Sequence, residues 1–207
     1  MKQLKVGLVA MLAAIATIAF VGAGSASATV MYKSVFGFDP KQDVGTTIEA
    51  KLTGPKLAIE DTAGNKWVEC SGAELHLLIE YGGEKNSKIL HPNGSAQKHT
   101  YTGCPVSVST VNGGTWEVKH IPSTDNGLFI ATSTEVKVWF PSLGVNCTFK
   151  TNATATGTLN GNEEIGGTTY LELNGPLSGA SGDPCPTSAR ITATYEVTNI
   201  PGLYVWP

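Results

Sequence analysis

Four cysteines and the residues beside them set the tightest bound on how this chain can fold. Cys70 ends Val68-Glu69-Cys70 and Cys104 begins Cys104-Pro105; Cys147 ends Val145-Asn146-Cys147 and Cys185 begins Cys185-Pro186. V-x-C therefore opens each of two segments and C-P closes it, at separations of 34 and 38 residues. Four cysteines allow three pairings. The internal repetition favours Cys70–Cys104 and Cys147–Cys185, each bridge closing its own unit. Zinc ligation fits poorly, because no C-x-x-C occurs and no histidine stands at a ligand spacing from a cysteine. On the chain-entropy model, a closed loop of this length contributes about 3–4 kcal/mol.

Bridges of this kind persist in oxidising compartments, and the N-terminus predicts such a destination. Lys2 and Lys5 precede the apolar run Val6–Val21, which leads into GAGSASA and the small-residue site Ala26-Ser27-Ala28. That order describes a secretory signal peptide over residues 1–28. The run is shorter than the ~20 residues of a membrane span, so no span is expected in the mature chain. Residues 29–207 are then a single β-rich domain, long enough for a real core. Without Lys2 and Lys5 the chain has 12 basic and 17 acidic side chains, a net charge of −5. With no basic patch, nucleic acid is not an expected partner.

Short alternating segments separated by Gly and Asn turns predict strands. They include Thr47–Leu52, Leu57–Glu60, Lys66–Cys70, Thr115–Ile121, Leu128–Ala131 and Glu135–Phe140. In ARITATYEVT, Ile191, Ala193, Tyr195 and Val197 line one side and polar residues the other. The segment SGAELHLLIEYG reads two ways. Ser71 and Glu74 have a capping-box spacing, but Ala73, Leu75, Leu77, Ile79 and Tyr81 alternate, which favours a strand. The expected fold is all-β, an antiparallel β-sandwich with two local disulfides; a closed β-barrel is the alternative.

The stretch VNCTFKTNATATGTL places Cys147, Phe149 and Leu159 at odd positions and Thr148, Thr154, Thr156 and Thr158 at even ones. Strict alternation puts the cysteine inside and these four threonines on a solvent-facing side. That side is either a soluble outer wall or a recognition surface.

Catalytic motifs are missing: the sequence has no G-x-S-x-G and no H-E-x-x-H. His91 and His99 bracket HPNGSAQKH, read as a solvated loop; His99 and His120 lie on strand-like segments. Asp125 in STDNG and the pair Glu163-Glu164 in GNEEIGG sit in turns and are the acids available for glycan chemistry or an ion. Trp67 and Trp139 read as core residues, whereas an exposed tryptophan such as Trp206 could stack on a sugar ring. No cofactor, metal site or catalytic residue is expected.

The blocks GTTIEAKLTG, WVECSG, YTGCP, GVNCTF and CPTSARITATYEV before LYV give the chain from about residue 45 to 205 a resemblance to exported, disulfide-containing β-rich proteins of high-GC Gram-positive (actinobacterial) bacteria. The resemblance implies a secreted bacterial protein, agrees with local cysteine pairing and brings no catalytic residues. The leading expectation is a non-enzymatic exported domain acting by surface contact with the cell envelope, a polymer or a partner protein. An extracellular glycan hydrolase and a carrier of lipid or another small ligand are the alternatives.

Overall fold

The structure, a computed structural model, describes residues 29–35, 41–84, 91–179 and 184–206. The signal-peptide reading of residues 1–28 falls outside them. Thirteen strands follow in chain order: β1 (Val30–Lys33), β2 (Thr47–Leu52), β3 (Leu57–Glu60), β4 (Lys66–Cys70), β5 (Gly72–Tyr81), β6 (Asn93–Thr102), β7 (Val108–Asn112), β8 (Thr115–His120), β9 (Gly127–Phe140), β10 (Val145–Asn160), β11 (Tyr170–Gly179), β12 (Ser188–Val197) and β13 (Leu203–Trp206).

Every strand pairing is antiparallel. The main path runs β11-β10-β9-β8-β6-β5-β2-β12-β3-β4, with β7 on β9 and β11 also on β12. Two strands serve both layers. β9 lies along β10 on one edge and divides its other edge between β8 and β7. β12 lies along β11 and divides its other edge between β3 and β2. The seams β6–β8 and β2–β12 span three residue pairs each. The architecture is thus the layered antiparallel one, with layers joined at their edges, and not a closed barrel.

Alternation builds the core. In β5, Ala73, Leu75, Leu77 and Ile79 are buried, and the strand pairs with β2 and β6 on its two edges. Those cross-strand partners settle SGAELHLLIEYG as a strand over its capping-box spacing. In β12, Ile191, Ala193, Tyr195 and Val197 are buried as the pattern predicts. Both disulfides form with the expected partners, Cys70–Cys104 and Cys147–Cys185, and Cys70 and Cys147 sit in the core. Trp67 stacks on Phe149 at a centroid distance of 6.0 Å and meets Phe140 edge-on. Trp116 is the more deeply buried indole; Trp139 is only half-buried.

The loop expectation for HPNGSAQKH is corrected. HPNGSAQKH is largely strand, because β6 begins at Asn93. Gly94 lies so close to the Leu78 carbonyl that a Cβ would collide with it, so this glycine permits strand approach and not a turn. Asn174-Gly175-Pro176 is strand interior in β11. Pro176 is tolerated because β10 and β11 break register between Lys150 and Gly157, leaving residues 174–177 of β11 without β10 partners.

A separate two-stranded sheet joins the ends of the described chain. Val30 faces Trp206 and Lys33 faces Leu203, and Met31, Leu203 and Val205 extend into the main core. The Thr29 hydroxyl accepts the His120 N–H at 2.9 Å, which ties this sheet to the end of β8.

Candidate functional site

The even-numbered threonines of VNCTFKTNATATGTL do not share a solvent face. Register shifts occur in the β9–β10 ladder between Lys150 and Asn152, between Asn152 and Ala155, and between Ala155 and Gly157. Each shift changes which face a given parity occupies. Thr156 is consequently buried, while Thr148 and Thr158 are half-buried; Thr151, at an odd position, is buried as the alternation requires. The side chain of Thr154 lies outside the described residues. The Thr156 hydroxyl accepts the Ala131 N–H at 3.0 Å, and the Thr151 hydroxyl accepts the Thr134 N–H at 3.1 Å. Both hydroxyls thus replace backbone acceptors where the ladder slips. Opposite them, Ser133 takes φ 58°, a left-handed kink in β9.

Behind this slipped segment lies an interior cavity of about 40 Å³, walled chiefly by aliphatic and aromatic side chains and also by Thr134, Thr151, Thr156 and His99. That is room for a water or two and not for an acyl chain. His99 is therefore no loop residue. Its Nε2 lies 2.8 Å from the Tyr195 hydroxyl and its Nδ1 lies 3.0 Å from the Tyr101 hydroxyl. A neutral imidazole offers one N–H and one lone pair, and the two hydroxyls satisfy both. Burial pushes His99 down to about 4 and drives both phenols upward. This is a satisfied network in which His99 holds two tyrosine hydroxyls.

Three residues that the sequence offers separately meet on the outer surface. Asp125, Glu163 and Trp206 line one cleft of about 510 Å³, together with His120, Ser123 and Thr124. The floor is fixed by backbone bonds. Val205 N–H donates to the Asp125 carbonyl at 3.0 Å, placing that turn beside β13 and its last residue, Trp206. Gly161 N–H donates to Asn126 Oδ1 at 3.0 Å, and a side chain at Gly161 would strike the Asp125 carbonyl. His120 Nε2 donates to the Thr124 carbonyl at 2.7 Å, which fixes that nitrogen as the protonated one. Thr124 donates its hydroxyl to the Ile121 carbonyl at 2.8 Å and accepts the Asn126 N–H at 3.1 Å. Ser123, between them, has φ 65°. On the other wall, Asn162 Oδ1 accepts the Glu164 N–H at 2.9 Å, holding the loop that carries Glu163.

Trp206 is 45% exposed, so part of its ring is open to a ligand. The cleft thus combines an aromatic face, two carboxylates and two hydroxyl side chains on braced turns. Glu164 does not line it. His99 and His120, which the sequence allows to meet, lie in different places: one on the interior cavity, the other on the surface cleft. Sequence reasoning missed Ser123 and Thr124, whose only signal is their place in the same STDNG turn as Asp125. Among the described residues, no three His, Cys, Asp or Glu side chains converge as a metal ion requires, and no helix is long and apolar enough to cross a membrane. No protein-family model, no curated protein and no solved structure matches this chain.

Proposed function

We propose that the protein is an exported, glycan-binding β-domain that attaches to a polysaccharide through the cleft around Trp206. One observation carries the reading: an exposed indole, Asp125 and Glu163 line the same braced cleft. Sugar rings present C–H faces that stack on indole and hydroxyls that donate to carboxylates. Two disulfides suit an oxidising space, and the N-terminal segment has the pattern of an export signal. The proposed setting is the surface of an actinobacterial cell, as the resemblance in the cysteine blocks suggests.

The test is retention on insoluble polysaccharides and peptidoglycan, with titration of soluble oligosaccharides followed by indole fluorescence. Trp206→Ala is expected to weaken binding by at least about tenfold, the effect of losing an aromatic anchor. If the wild-type protein is retained by none of these polymers, the reading falls.

The presence of two carboxylates in one cleft also supports a second reading, glycoside hydrolysis, which uses such a pair. Release of reducing ends that stops in both Asp125→Asn and Glu163→Gln would favour it over binding alone. The carrier alternative has less support, since the interior space is about 40 Å³.

A further inference from the structure

We infer that the glycan taken by this cleft carries free amines, as a polymer of glucosamine-type sugars does; the inference rests on the glycan-binding reading. Among the described residues, the lining of the cleft holds two carboxylates and neither lysine nor arginine. A neutral glycan brings nothing to offset those two negative charges, and an anionic one is repelled by them. An ammonium group compensates them directly and is attracted to the electron-rich face of Trp206 as well. His120 gives its Nε2–H to the Thr124 carbonyl and so braces the turn. The acidic balance of the whole chain, 17 acidic against 14 basic side chains, favours the approach of a polycation over that of a polyanion.

The experiment compares two oligomers of one backbone by calorimetry on the wild-type protein: a β-1,4-linked glucosamine hexamer and its fully N-acetylated counterpart. At roughly 25 mM salt the glucosamine hexamer is expected to bind at least about fivefold more tightly, a gap that two partly exposed ion pairs can supply. At about 0.5 M salt the gap closes, because screening then acts over a few ångströms. Asp125→Asn and Glu163→Gln are each expected to narrow the gap, weakening the glucosamine hexamer more than its acetylated counterpart. Equal affinities, or tighter binding of the acetylated hexamer, overturn the amine inference and leave the glycan reading standing. Binding of neither hexamer, with no retention on the other polysaccharides, overturns both.

Discussion

Replacing Thr156 by valine removes one oxygen from the interior and keeps the branched shape of the side chain. The Ala131 N–H, which donates to that oxygen at 3.0 Å, is then left without it in a region where Ala131 is 7% exposed and Thr156 is 4% exposed. An orphaned buried donor costs about 1–3 kcal/mol. The added methyl group, facing an apolar cavity wall, returns about 0.8 kcal/mol. The expected net loss is about 0.2–2 kcal/mol, a fall in melting temperature of up to roughly 8 °C for a domain of this size. Thr148→Val, at a half-buried position where the alternation is intact, should stay within about 0.5 kcal/mol of wild type. Urea unfolding of both variants measures the difference, and amide exchange at Ala131 locates it. Equal stability of the two variants, with Ala131 protection unchanged, would refute the claim that the slipped ladder relies on side-chain oxygens.

Stability should fall as the medium is acidified, with His99 as a main cause. Its folded-state value near 4 lies below the ordinary 6.5, so the unfolded chain takes up the proton first. The neutral ring's contribution is intact above about pH 6.5, declines towards pH 4 and levels off below it, on the order of 3 kcal/mol in all. Burial and Lys119 lower His91 as well, adding a loss of the same sign. Denaturant titrations across this range should show a shallower slope in His99→Gln; an unchanged slope counts against the assignment. Non-reducing peptide mapping should recover Cys70 with Cys104 and Cys147 with Cys185. Replacing Cys147 and Cys185 together by serine should cost about 4 kcal/mol in chemical unfolding; a loss under about 1 kcal/mol would mean the bridge constrains little. Trp206→Ala should keep the wild-type far-UV spectrum while losing glycan binding, and loss of both would recast the indole as a structural residue.

Local periodicity made much of the fold legible before any coordinates. β2, β4, β8 and β12 follow from alternation because each has one wet and one dry side, whereas β3 is buried on both sides and shows as a short apolar run before a turn. The cysteine pairs follow from a repeated tripeptide. What alternation could not reveal was the phase change within β10, since a bulge adds no distinctive residue and its evidence lies in the partner strand. Thr156 was misread for that reason. The partners of His99 escaped because nothing in the polar run NGSAQKH marks Tyr195 as near. At the cleft, Asp125, Glu163 and Trp206 were each visible, but their meeting depends on β13 lying beside the STDNG turn, and no spacing in the sequence encodes that.

The pairing of Val30 with Trp206 joins segments about as far apart in sequence as the described chain permits. Such a contact brings together ends that every intervening turn must first position, so it belongs to the closing phase of assembly. The indole takes its place only when that zipper shuts. Under the glycan-binding function proposed above, a chain emerging N-terminus first has no grip on a polymer until β13 arrives, which delays attachment until the body of the domain has had its chance to fold.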